Sequence, residues 1–269
     1  MRAGATVVDC EWQRYSAGER MARFMVYLVI VAAVVLSIRT VEVIPEFIID
    51  APEQLADLLK RMWPPDAASY PAEIHDALLD SIHIATVGTV LGVAMALPFG
   101  FLAARNVTPW PWLNWVARLV LISARSINTL VFALFFVAVF GPGALAGTLA
   151  IAFHSIGFVG RLFSEALEAT SPGPIEALRA AGAPAASVIS FGYWPQVVPA
   201  FWSLVLFRWD INVRESIVLG LVGAGGVGMA LDNALNLFQW TRVAMILLSI
   251  LAVVIAAEVA VTAIRKRII

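Results

Sequence analysis

Nine residues in the last third of the chain, "RWDINVRES", place Arg208, Asp210, Asn212, Arg214 and Glu215 inside an otherwise apolar run. A charge at the centre of a spanning helix costs roughly 2.5–3.5 kcal/mol on insertion scales, so such groups face a bundle interior or water. At helical spacing Arg208, Asn212 and Glu215 share one narrow arc. Asp210 and Arg214, four residues apart, share a different arc and are placed to pair. Two readings stay open. The charges hold helices together, or they line a polar path for a solute. Arg125, with Ser126 and Asn128 beside it, is a further positive candidate for such a path. Its alternative is a helix-end arginine reaching the membrane interface. His154 and Ser155 are sequence neighbours in another apolar run. Neighbours on a helix point apart, so they do not form a nucleophile–base dyad.

Other chemistries find little support. The 3 histidines, His75, His83 and His154, lack metal-type spacing. The single cysteine, Cys10, rules out an intrachain disulfide framework and cannot by itself make a cysteine-ligand metal site. "GAGGVG" at 223–228 fits G-x-G-x-x-G, yet no strand precedes it and an apolar run occupies the place of the required acid. Those glycines read as a tight re-entry or a close helix packing. No Walker lysine motif is present, so ATP hydrolysis is expected in another subunit.

The elements that must position these residues are membrane helices. The chain has 269 residues, 61% hydrophobic and 14% charged. Soluble domains average about 45–50% apolar and about 25% charged. A net charge of −1 gives no basic field for nucleic acid. Six runs reach spanning length, near 21–38, 81–104, 113–140, 144–163, 197–222 and 240–264. No small-residue cleavage site follows the first run, which reads as a retained span. Arg14, Arg20, Arg23, Arg105, Arg118, Arg161, Arg179, Arg265, Lys266 and Arg267 all fall on one side if six spans alternate. The positive-inside rule then makes that side, and both termini, cytoplasmic. Residues 1–20 form a cytoplasmic segment and 21–269 a single transmembrane domain. The opposite connection, 39–80, is acidic. It is expected to hold a short amphipathic helix near 52–62, as a solvated link or as a partner's docking surface.

The remaining polar stretch, "EALRAAGAPAASVISFGYWP" at 176–195, lies in the cytoplasmic connection 166–196. Its chemistry predicts two short helices. Pro174 suits a first turn, the run to Ala181 is rich in helix formers, and Gly182 suits a left-handed end. Pro184 opens the second helix and Pro195 stops it before span five. Small side chains would let it lie close against a partner's backbone.

The spacing of Glu176, Ala177, Gly182 and Pro195 resembles the EAA loop of ABC importer permeases, with Arg179 inside it. Leu178 stands for the usual second alanine, and Gly192 and Trp194 for the usual isoleucine and leucine. Further stretches, "PPDAASYPAEIHDALLDSIHIATVGTVLG", "LAARN", "GTLAIAFHSIGFVGRLFSEALEA" and "RWDINVRESIVLGLVGAGGVG", are similar to the permease subunit of phosphonate importers and their phosphite and hypophosphite relatives.

That resemblance implies an all-α, type I (MetI-like) permease bundle in the bacterial inner membrane. It implies that 176–195 docks on a cytoplasmic ATPase. The partners it implies are a second permease chain, most simply an identical one, two ATPase subunits that bind ATP and Mg, an extracytoplasmic binding protein and membrane lipid. No cofactor belongs to the chain itself. The implied activity is non-enzymatic: import of a small phosphorus oxyanion by alternating access. Arg125, Arg208 and Arg214 would supply positive charge on the path, with Asn212 and His154 as neutral donors. A permease for methionine or another small solute is the nearest alternative, and a secondary transporter a remoter one.

Overall fold

The computed structural model describes residues 15–40 and 45–268. Residues 1–14, with Cys10 and Arg14, lie outside the described residues, as does Glu42. All regular structure among the described residues is helical. The chain divides into two compact units, Met1–Asp57 and Leu58–Ile269.

In the first unit, α1 (Ala17–Thr40) opens on a capping box. The Ser16 N–H donates to the Glu19 carboxylate at 2.9 Å, and the Glu19 N–H donates to the Ser16 hydroxyl at 3.4 Å. Its large apolar side chains are exposed, as a helix bathed in lipid requires. Next comes α2 (Pro45–Met62). It begins earlier than expected: Pro45 supplies the preset φ of a first turn, and Pro52 lies inside the helix.

In the second unit a widened π turn, Tyr70–Ile74, leads into α3 (His75–Ala103). There follow α4 (Pro111–Ser126), α5 (Thr129–Phe140), α6 (Ala144–Glu168) and α7 (Pro172–Ala180). A three-residue α8 (Ala185–Ser187) and a second π turn, Val188–Tyr193, run into α9 (Trp194–Gly220). The chain continues as α10 (Val227–Asn236) and α11 (Trp240–Ile268). By length and apolarity α1, α3, α6 and α11 can each cross a membrane, and α4 with α5 meets the same criterion together as a bent pair, the form of a broken span or a re-entrant loop. The 27-residue α9 is long enough, but its cluster of charges sets it apart from a plain apolar span.

Two expectations need correction. The single span expected over 113–140 is two helices meeting at 87°. Ile127 and Asn128 are extended there, and the Asn128 side chain accepts the Leu130 N–H at 2.9 Å, which starts a new helix instead of continuing the old one. Pro195 does not stop a helix before span five; it sits in the first turn of α9. Proline has no N–H to donate, and a first turn needs none.

Glycines set the closest approach in the bundle. A Cβ on Gly88 would lie 2.7 Å from Ile151 Cγ2, and one on Gly92 would lie 2.6 Å from Ser155 Cβ. Small residues one turn apart let helix backbones meet where lipid offers no hydrophobic drive. Gly92→Val should therefore overpack the α3–α6 contact and cost about 1–3 kcal/mol. The check is the thermal midpoint of the purified chain, with Gly18→Val as the control, because nothing lies within 4 Å of a Cβ at Gly18. Equal midpoints for the two variants would refute the packing argument.

The turn 223–226 joins α9 to α10 with Gly223, Gly225 and Gly226 at positive φ. A Cβ on Gly228 would overlap the Ile217 carbonyl. The Val227 N–H, orphaned at the start of α10, donates across to Ser81 Oγ at 2.8 Å. The glycine run is thus a tight turn packed on α3 and α9.

Candidate functional site

Where α3, α5, α6 and α9 meet, the apolar core gives way to a polar seam. Arg208 is 2% exposed. Its Nε donates to Ser155 Oγ at 3.0 Å, and its terminal nitrogens donate to the Glu215 carboxylate at 3.5 and 3.2 Å. The guanidinium also lies over the Phe158 ring, 5.4 Å from its centroid. Glu215 accepts from Thr129 Oγ1 at 2.9 Å, which ties the first turn of α5 to α9. Asn212, fully buried, donates to Thr89 Oγ1 at 2.7 Å and to Ser155 Oγ at 3.3 Å. Its own Oδ1 has no hydrogen-bond partner among the described residues. The narrow arc of Arg208, Asn212 and Glu215 thus faces one network on three neighbouring helices. On the other arc Arg214 pairs with Asp210.

The helix break builds a cavity beside this seam. It measures about 320 Å³ and is lined by Asn128, Thr129, His154, Arg214 and Glu215 among polar residues, with Ile211, Val218 and Leu219 as apolar wall. His154 Nδ1 lies 3.0 Å from the Ile127 carbonyl, which the end of α4 leaves without a helical partner. The 87° bend therefore aims the N-terminus of α5 at a space walled by α6 and α9.

Charge is close to balanced here. Arg208 offsets Glu215 and Arg214 offsets Asp210. Arg214 is the cation in the cavity lining, and about half of its side chain is exposed. Arg208 is sealed behind Glu215. Arg125 is not brought to this cavity: it ends α4 and is exposed. Thr89 and Thr129 are the members that sequence reasoning missed, and Ser155 was weighed there only as half of a dyad with His154. A hydroxyl in a helix carries no signal of its cross-helix partner.

The segment 176–195 forms a second candidate site. Ile175 is its buried anchor, in a cluster with Val188, Tyr193 and Val197. Ser171 N–H donates to Gln196 Oε1 at 3.0 Å, and Gln196 Nε2 donates to the Gly192 carbonyl at 2.7 Å. Tyr193 OH donates to the Asn106 carbonyl at 3.0 Å. Gly192, where the EAA pattern has isoleucine, lets the turn approach α7: a Cβ there would meet Leu178 at 3.3 Å and Ile175 at 3.4 Å. The outer side carries Glu176, Ala177, Arg179, Ala181 and Gly182, all exposed. Gly182 ends α7 at φ 77°. Pro195 is exposed at the start of α9. The result is a ledge of small side chains with one acid and one base, held to the bundle by these contacts.

Comparison with known proteins agrees with this architecture. Residues 96–269 match the family described as binding-protein-dependent transport system inner membrane component. The chain is 42% identical over 200 residues to the phosphite transport system permease protein PtxC of Stutzerimonas stutzeri, covering 74% of this chain and 72% of that one. It is 39% identical over 234 residues to the phosphate-import permease protein PhnE of Mycolicibacterium smegmatis. That match covers 87% of this chain and 44% of the relative's length. Among solved structures, the inward-facing MetNI methionine ABC transporter superposes with a TM-score of 0.67 at 20% identity, over 76% of this chain and 100% of that chain. An alginate-importing bacterial ABC transporter gives 0.61 at 12% identity, over 90% of this chain and 99% of that one. At those identities the structures speak for the fold alone. A multi-pass helical bundle of this fold, matched over most of its length, places the chain in the family of inner membrane components of binding-protein-dependent transport systems.

Proposed function

We propose that this chain is the permease subunit of an ATP-driven importer whose cargo is a small phosphorus oxyanion such as phosphite or a phosphonate. The relatives' names supply the chemical class. The observation that carries the reading at the level of residues is the cavity at the α4–α5 break. It offers an anion one half-exposed guanidinium and an α5 N-terminus, among fixed charges that nearly cancel; a neutral His154 ring that donates to the Ile127 carbonyl has only an acceptor left. Desolvating an unpaired anion in a low-dielectric bundle is prohibitive. Arg214 has five N–H donors and can keep Asp210 while donating to a passing oxyanion. Because Glu215 and Asp210 hold the site near neutrality, binding there is weak, which a transit point needs.

The assembly follows the same reading. Six crossings with α9 included put both termini, segment 1–20 and the connection 166–196 in the cytoplasm, and 39–80 outside. Two copies of the chain join two ATPase subunits through the ledge at 176–195, and a binding protein delivers cargo from outside. ATP and Mg belong to the ATPases. This chain catalyses no reaction; closure of the ATPases moves the ledge and rocks the bundle between its two openings.

Uptake by reconstituted Arg214→Gln tests the cavity. Loss of a charge-assisted hydrogen bond of about 1.5–3 kcal/mol corresponds to a loss of transport of tenfold or more. Arg214→Lys should retain more uptake, and Arg214→Gln/Asp210→Asn shows whether an unpaired Asp210 is the cause. Arg125→Gln should transport at close to the wild-type rate. The reverse ranking, with Arg125→Gln inactive and Arg214→Gln normal, would move the path away from this cavity.

A further inference from the structure

The helix α2 has two faces that its neighbours in sequence explain. At 100° per residue, Phe47, Ile48, Leu55, Leu58, Leu59 and Met62 fall on one side. The opposite side carries Asp50, Glu53, Gln54, Asp57, Lys60 and Arg61. Six charges in 18 residues, counting Glu46, prevent it from spanning a bilayer. Yet much of its apolar side is open, although Met62 at its end packs against the cluster of Ile74 and Leu78: Phe47 is 66% exposed, Ile48 65%, and Leu55 and Leu59 57% each. Trp63, directly after the helix, is 75% exposed.

The chain's connectivity says what lies nearest. α1 and α3 are both long and apolar enough to cross a membrane, and on the six-crossing topology proposed above, on which this inference rests, they are consecutive crossings that tether both ends of α2 to one face. Only residues 41–44 separate α1 from α2, a reach of at most about 18 Å. The helix is about 27 Å long. Held this close to the bilayer, an open apolar stripe has an apolar phase within reach. Aromatic residues such as Phe47 and Trp63 suit the headgroup level.

We propose that α2 lies in the membrane plane as an interfacial helix. Its Phe47–Leu55–Leu59 side is sunk into the boundary between headgroups and acyl chains, and its acidic side faces water. Glu46, Asp50, Glu53 and Asp57 outnumber Lys60 and Arg61. Attachment therefore comes from apolar burial, not from attraction to anionic lipid, and is insensitive to salt. This sets α2 apart from basic surface helices, which need anionic headgroups.

The test uses the full chain, assembled with its ATPase, in phosphatidylcholine–phosphatidylethanolamine nanodiscs. Single cysteines on a Cys10→Ser background at Leu55, Leu59 and Ile48, and separately at Glu53 and Asp57, carry an environment-sensitive fluorophore. Quenching by lipids with a shallow acyl-chain nitroxide is compared with quenching by aqueous iodide. For a side sunk about 5–10 Å, the Leu55, Leu59 and Ile48 positions should be quenched more by lipid than by iodide, and Glu53 and Asp57 the reverse. Adding phosphatidylglycerol or salt should leave the pattern unchanged. Ile48 provides a reading on the same side if a Leu55 or Leu59 variant fails to assemble. Iodide quenching at all positions would mean a solvated link. Shielding of Leu55 and Leu59 from both quenchers would mean a protein cover. Either result overturns the proposal.

Discussion

Arg208→Ala is expected to destabilise the bundle by about 3–5 kcal/mol, the range seen when one member of a buried ion pair is removed. Arg208 is 2% exposed, and three different groups depend on it. Glu215 would keep only the Thr129 hydroxyl at 2.9 Å. Ser155 would lose the stronger of its two donors. A cavity of guanidinium size would open under Phe158. The double change Arg208→Met/Glu215→Gln should recover much of the loss, because neither partner is then a buried charge. Thermal midpoints of the three purified chains in detergent provide the check. Wild-type stability in Arg208→Ala would show that the seam does not hold the bundle.

The second large effect is expected at the ledge. Ala177→Asp places a charge on its small-residue side without disturbing Ile175, the buried anchor of the same helix. It should abolish co-purification of the ATPase while the permease inserts normally. Gly182→Asp should do the same but mixes two causes. Gly182 sits at φ 77°, and a left-handed residue with a Cβ costs roughly 1–2 kcal/mol. Gly182→Asn separates them, because asparagine tolerates that conformation and adds no charge. It should retain most of the ATPase. Wild-type recovery of the ATPase with Ala177→Asp would remove the docking role from this surface.

What the sequence revealed follows a physical division. Long apolar runs announce membrane helices because composition alone sets that preference. The charges of α9 were legible for the same reason, since Arg208 and Glu215 are conspicuous where charge is expensive. The i, i+4 relation of Asp210 and Arg214 is local geometry, and the two do meet. The break at Ile127–Asn128 was not legible as a break. No proline or glycine marks it, and the polar group Arg125, Ser126 and Asn128 read as part of a path inside one span, not as a helix end followed by an N-cap. What stabilises it is partly remote: His154 of α6 meets the Ile127 carbonyl, and Glu215 of α9 meets Thr129. Arg125 looked like a path residue because it is a positive charge with no evident partner inside an apolar run, yet it is exposed at the end of α4 and does not line the cavity. Pro195 was misread because proline both ends helices and begins them. Only the continuity of the π turn into α9 decides between those roles.

The most direct test of the account is uptake by proteoliposomes. They contain this chain with its ATPase, and its binding protein is supplied outside. The account predicts that labelled phosphite or methylphosphonate accumulates inside only when ATP, Mg and the binding protein are all present. It also predicts that Ala177→Asp abolishes this accumulation. Accumulation without ATP would contradict the importer reading. ATP-dependent accumulation of methionine, with none of either phosphorus oxyanion, would contradict the cargo.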